Sequence, residues 1–99
     1  MSYRISYSAN AIAHLRLLSA RQQSIVVDAV VEQLTHQPLL ETRNRKPMRL
    51  NPLAPWELRV GILRVYYDVS EEPEPTVMIH AIGVKERNRV RVGTERLDL

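Results

Sequence analysis

The stretch from Trp56 to Val69, WELRVGILRVYYDV, most constrains what this chain can fold into. On either side of Gly61 the apolar residues recur at every second place. Leu58 and Val60 alternate with Glu57 and Arg59, and Leu63, Val65, Tyr67 and Val69 alternate with Arg64, Tyr66 and Asp68. A period of two belongs to a strand, whose successive side chains leave on opposite faces. The stretch therefore predicts two strands joined by a tight turn at Gly61, with one face in a core. The other face then carries the guanidinium groups of Arg59 and Arg64, which are planar, permanently charged and suited to holding a phosphate.

The flanking sequence supplies the remaining elements. Residues 3–7, YRISY, alternate and predict a first strand. Ser8 is placed to cap a helix starting near Ala9, on which Ile12, Leu15 and Leu18 recur at helical spacing. Ser19 followed by Gln22 is a capping-box signature for a second helix. There Val27, Val30, Val31 and Leu34 follow the i, i+3, i+4, i+7 pattern of a buried stripe, and Pro38 ends it. Residues 39–47 are a polar, basic loop, and MRL at 48–50 predicts a short strand before Pro52 and Pro55 interrupt the path. EEPEP at 71–75 is an exposed acidic hairpin loop. TVMIHAI at 76–82 predicts a third strong strand, with Val77, Ile79 and Ala81 on one face and Met78, His80 and Ile82 on the other. A short strand near Val90–Val92 follows. One strand, a helical hairpin and an antiparallel meander make a single α+β domain over residues 1–99.

Composition narrows the function classes. The 99 residues are 44% hydrophobic and 25% charged, as in an ordinary globular domain. There is no cysteine, and no apolar run reaches the ~20 residues of a membrane helix. The segment MSYRISYS lacks a signal-peptide apolar region, so a cytoplasmic location is expected, with no membrane partner. His14, His36 and His80 stand apart at spacings that suit no metal. His14 is expected near the surface, His36 in the last turn of the second helix, and His80 in a packing role. With three glycines and no phosphate-loop or dinucleotide fingerprint, no cofactor and no metal are expected. The net charge of +3 is unevenly spread: RNRKPMR at 43–49 holds four cations and no anion, and KERNRVR at 85–91 holds four cations and one anion. Such clusters attract polyanions, although two solvated loops would carry the same charges.

WELRVGILRVYYDV and IHAIGVKERNRVRVG, in this order of elements, resemble the RelE/ParE superfamily of bacterial toxins. The pattern W-x-L-R-x-G-x-x-R-V-x-Y followed by A-I-G-x-K carries the likeness, which spans nearly the whole chain. The resemblance implies a compact fold with an N-terminal strand and a two-helix hairpin packed on a curved antiparallel sheet. It also implies a cognate antitoxin that masks the site. RelE-like members cleave messenger RNA on the ribosome: a ribose 2′-hydroxyl attacks the adjacent phosphate while cations stabilise the transition state. By this likeness Arg64 holds the scissile phosphate, Lys85 is the cation after the last core strand, and Arg59 is a further strand cation. Arg45 and Lys46 lie in the loop that approaches RNA, joined by Arg87, Arg89 and Arg91.

The chain also departs from the family pattern. Arg91 stands where relatives often carry Tyr or His, and Glu57 where the ribosome-dependent enzymes tend to have Lys. Glu57 is either a general base or the structural partner of Arg59 or Arg64. Arg64 has the structural alternative of pairing with Glu57 or Asp68. Tyr66 either stacks on a nucleobase or packs within the sheet. Three functions remain open: a ribosome-dependent endoribonuclease, a ParE-like inhibitor of DNA gyrase, and an inactive toxin-fold protein that only binds its antitoxin. No DNA-reading motif is evident, so sequence-specific DNA binding by this chain alone is not expected.

Overall fold

A computed structural model describes residues 2–99. The chain begins with strand β1 (Arg4–Tyr7), followed by helices α1 (Ala9–Arg16) and α2 (Ala20–Leu34). Six strands complete it: β2 (Arg45–Pro47), β3 (Trp56–Val60), β4 (Leu63–Ser70), β5 (Thr76–Glu86), β6 (Arg89–Val92) and β7 (Glu95–Leu97). The sheet runs β2-β3-β4-β5-β6-β7 with antiparallel neighbours, and β1 joins it by pairing parallel to β5. This is the expected α+β arrangement of two helices on an antiparallel sheet.

Both helix starts follow the side-chain chemistry of their caps. Ser8 Oγ accepts the Ala11 N–H at 3.0 Å. At α2, Ser19 Oγ accepts the Gln22 N–H and Gln22 Oε1 accepts the Ser19 N–H, closing a reciprocal capping box. Neither helix among the described residues is long and apolar enough to cross a membrane.

The main core lies between the helices and one sheet face. Ala11, Val26, Val30 and Leu34 pack against Leu58, Val65, Tyr67, Val77 and Ile79. The stripe on α2 thus runs Val26–Val30–Leu34, while Val27 and Val31 are exposed. Apolar residues at 25, 26, 27, 30 and 31 offer two overlapping stripes, and docking on the sheet selects the one centred on Val30.

The alternation along β5 changes phase at His80. Val77 and Ile79 face the main core, but so do Ile82 and Val84, while Ala81 faces away. The cause is a bulge: Tyr66 pairs with Ala81 and Tyr67 with Ile79, so His80 has no partner on β4. The short strand expected at 48–50 lies instead at Arg45–Pro47, where it pairs with Trp56–Leu58. Beyond it, Asn51 shapes a loop, its side-chain oxygen accepting the N–H groups of Leu53 and Ala54.

The second sheet face is also covered. Tyr66, Ala81, Val90, Val92 and Ala54 form a small second core, roofed by Met48, Leu53, Leu97 and Leu99. The expectation of one apolar and one cationic face therefore holds only over part of the sheet.

Candidate functional site

The uncovered part of that second face is built by strand register. In antiparallel pairs, residues directly opposite one another share a face. Lys46, Glu57, Tyr66 and Ala81 form one row across β2–β5. Arg59, Arg64, Gly83 and Val92 form the next, across β3–β6, and Lys85 with Val90 begins a third. These rows open into a cleft of about 360 Å³ whose polar lining is Lys46, Arg49, Glu57, Arg59, Arg64 and Lys85. Met48, Pro47, Val90 and Leu99 form its apolar walls. Five cations therefore face one carboxylate.

The two strand arginines are held differently. Arg59 Nε donates to Glu57 Oε1 at 2.8 Å; Glu57 is buried, whereas the Arg59 side chain is half exposed. This is the structural pair expected as one alternative for Glu57. Arg64 pairs with neither Glu57 nor Asp68. Its Nη1 donates to the carbonyls of Gly61 at 2.7 Å and Leu63 at 3.0 Å, at the end of its own hairpin. Gly61 turns this hairpin with φ of 60°, a conformation in which glycine carries no steric cost. Among the described residues no carboxylate lies within ion-pair distance of Arg64, Lys85 or Arg49. Lys46 has one long contact, 3.9 Å to Glu41.

Gly83 keeps the cleft floor flat. A Cβ there would stand 2.6 Å from Val90 Cγ1 and 2.8 Å from the Arg91 carbonyl oxygen. Only glycine lets β6 approach this closely beside Arg64.

Tyr66 lies beneath the cleft and is fully buried. Its ring is closed to an RNA base in this structure, so of the two readings of this residue packing is the one observed. Its hydroxyl lies beside the Glu57 carboxylate without the geometry of a full hydrogen bond. Burial, and next the nearby Glu57 carboxylate, hold it far above the usual phenol range.

The other predicted RNA contacts lie elsewhere. Arg45 is fastened to the end of α2 and the turn after it, its Nη1 donating to the carbonyls of Gln33 at 2.7 Å and Gln37 at 2.8 Å. Arg89 and Arg91 share the face opposite the cleft, because β6 sends Val90 and Val92 toward the second core. Arg91 binds Glu86 at 3.0 Å and Arg89 binds Asp98 at 3.3 Å. Arg87 turns the β5–β6 hairpin with φ of 57°. Sequence reasoning did not single out Arg49; its signal was membership of the 43–49 cation run.

His14, expected near the surface, is half-buried and structural. Its Nδ1 accepts the Ile82 N–H at 3.2 Å. Among the described residues no cluster of three or more His, Cys, Asp or Glu is arranged to hold a metal.

No protein-family model and no curated protein matches the chain. Among solved structures, it is similar to a chain of the toxin–antitoxin complex RelBE2 from Mycobacterium tuberculosis. The TM-score is 0.73 at 26% sequence identity, covering 86% of this chain and 100% of the other. The likeness borne by the β3–β5 motif and the match over most of the chain agree, and the protein has the fold of a RelE-like toxin.

Proposed function

We propose that this chain is the toxin of a toxin–antitoxin pair and cleaves messenger RNA on the ribosome at the Arg64 cleft. The observation that carries the reading is that Arg64 and Lys85 line one cleft with no carboxylate partner among the described residues. Cations left unneutralised on a rigid sheet are preorganised for charge that develops on a phosphate, and need little rearrangement when it does. The structural neighbour belongs to a toxin–antitoxin complex, which supports a cognate antitoxin for this chain. An acidic or partly apolar segment that covers the cleft suits the cationic lining and its apolar walls.

In the reaction, the ribose 2′-oxygen forms a bond to phosphorus as its proton passes to the Glu57 carboxylate. Arg64 and Arg59 hold the phosphoryl oxygens as negative charge builds. The bond from phosphorus to the 5′-oxygen breaks, leaving a 2′,3′-cyclic phosphate and a 5′-hydroxyl. The ammonium groups of Lys46 and Lys85 are the cleft's proton sources for the leaving oxygen, because guanidinium does not give up its proton.

Expression of the wild type and Arg64→Ala without antitoxin tests this, with amino-acid and thymidine incorporation followed together. An early fall in amino-acid incorporation that is absent in Arg64→Ala supports RNA cleavage. An early fall in thymidine incorporation supports gyrase inhibition instead. Soluble, folded protein with no effect on either leaves an antitoxin-binding role alone.

A further inference from the structure

A second pocket adjoins the cationic cleft. Residues 48–55 curl around a hollow of about 320 Å³, the size at which small-molecule sites begin, about 300 Å³. Leu50, Pro52, Leu53 and Pro55 give it mostly apolar walls. Met48 and Arg49 line both this pocket and the cleft, so the two share a wall. Among the described residues no carboxylate lies within ion-pair distance of Arg49. Its guanidinium is therefore free for a ligand that reaches from one hollow into the other.

The loop is held in this shape from within. Asn51 Oδ1 accepts the N–H groups of Leu53 and Ala54, and its Nδ2 donates to the carbonyls of Arg49 at 2.8 Å and Ala54 at 2.9 Å. The Met48 N–H donates to the Pro55 carbonyl at 2.7 Å and closes the base of the loop. Pro52 and Pro55 remove further backbone freedom. A pocket braced in this way loses little entropy when a ligand enters. Packing accounts for only part of the loop. Met48 and Leu53 roof the second core, but Leu50 takes no part in it and is fully exposed.

A cleft suited to phosphate, an unpaired guanidinium and an apolar pocket stand in sequence. The ligand that matches all three is a flat, largely apolar ring carried on a phosphate chain, which is a nucleotide of a single strand. Unpaired RNA bases splay out and stack on side chains, guanidinium planes included. We propose that the 48–55 pocket is a nucleobase subsite, which receives one base of the RNA strand whose phosphate lies in the cleft. Leu50 supplies apolar contact to that base, and Arg49 contacts the strand where it passes from cleft to pocket. The subsite rests on the reading of the cleft as an RNA site, but not on cleavage. It gives the protein a means of choosing among sequences, which phosphate contacts lack.

Methyl NMR of Met48, Leu50 and Leu53 tests this, with the trimer of deoxyadenosine as probe. The trimer lacks the 2′-hydroxyl that attack requires, so it stays intact. It is titrated beside three further trimers, each lacking the base at one position. The Arg64 Nε signal reports occupancy of the cleft. The intact trimer should move the Arg64 signal and the loop methyls together, the methyls upfield in the ring current of a stacked base. Removing one particular base should cancel the methyl shifts and keep the Arg64 shift. Leu50→Ala, at an exposed position where the fold survives it, should weaken the intact trimer about five-fold, the low end of one base contact, and leave the matching abasic trimer unaffected. An Arg64 shift without methyl shifts overturns the subsite and leaves the cleft reading standing. Equal methyl shifts with all four trimers overturn it too, because the pocket then senses the backbone and not a base. Unchanged affinity in Leu50→Ala does the same. Methyl shifts that grow with protein concentration alone assign the pocket to a second copy of this chain and overturn the proposal. No shift at either place with millimolar trimer also overturns it, and the incorporation experiment above then decides the cleft reading separately.

Discussion

Lys85 and Glu86 are adjacent on β5, yet they belong to opposite faces of the sheet and to opposite electrostatic situations. On the Lys85 face, five cations line a cleft that holds a single carboxylate, already taken by Arg59. On the Glu86 face, Arg91 and Arg96 both bind Glu86, and Arg89 binds Asp98. One basic run, KERNRVR, supplies both sides. Positive charge in a sequence therefore says little about readiness for an anion; the carboxylates that each strand face brings alongside decide it. On one face the charge is spent within the protein, and on the other it remains available.

The largest expected effect breaks this comparison directly. If the cleft cleaves RNA as proposed, Arg64→Ala should lower cleavage by about 10²–10³-fold, as loss of one preorganised donor does elsewhere, and leave the melting temperature nearly unchanged because the guanidinium binds only its own turn. Arg91→Ala, on the neutralised face, should leave cleavage intact. Comparable losses from both would mean that the two faces are not functionally distinct.

Gly83 is the seam between the two regions, paired with Arg64 on β4 and Val92 on β6. An alanine Cβ would meet Val90, Val92 and the Arg91 carbonyl, all below 3.0 Å. One of these atoms is backbone and cannot turn aside, so β6 must shift. Gly83→Ala should cost about 2 kcal/mol in chemical denaturation, within the range of overpacked sites. It should also lower cleavage, because the Lys85–Val90 wall moves with β6. A stable and fully active Gly83→Ala would show that the cleft tolerates displacement of β6.

How much of this could be read from the sequence depended on whether the determinant was local. The alternation around Gly61 is local, and it placed Arg59 and Arg64 on one face correctly. Ser8 and the Ser19–Gln22 pair are local too, and both caps form as expected. The phase change at His80 is not local, because the bulge exists only in the pairing of β5 with β4. Tyr66 alternates as an outward-facing residue should; it is buried because Met48, Leu53, Leu97 and Leu99 arrive from distant segments to roof it. The family likeness named Arg64 and Lys85 together, and the strand register accounts for their sharing a cleft. It could not show that Arg89 and Arg91 leave on the other face, since that depends on where β6 begins its alternation.

His14 ties α1 to the strand that separates the two regions. β5 pairs with β1 at Thr76–Ile79 and with β6 at Gly83–Glu86, and His14 takes the Ile82 N–H in the interval between them. That bond needs an unprotonated Nδ1. Burial lowers the His14 pKa below its usual value, partly offset by the Glu95 charge. A histidine with a lowered folded-state pKa contributes stability that is complete above its unfolded value, about 6.5, and is lost as pH falls through the folded value. Thermal melts of the wild type should therefore decline as pH drops below about 6.5. His14→Ala should cost about 1 kcal/mol at pH 8 and flatten that part of the profile. An unchanged slope in His14→Ala would assign the decline to other groups.

The smallest effect is expected from Glu86→Gln, and it sharpens the comparison because the change adds positive charge to the neutralised face. The hydrogen bond from Arg91, together with the Arg91 and Arg96 charges, holds the Glu86 carboxyl below the usual glutamate range. A carboxylate with a lowered folded-state pKa adds stability above its unfolded value and loses it as pH falls through the folded one. The wild type and Glu86→Gln should therefore differ slightly at neutral pH and converge in acid, below the ordinary glutamate range. Glu86 is solvent-accessible, so salt should shrink the difference further. Cleavage should be unaffected, even though Arg91 and Arg96 are then released. Faster RNA binding by Glu86→Gln at low salt would instead mean that this carboxylate restrains a second anion-binding face, and that charge pairing, more than geometry, keeps the two faces apart.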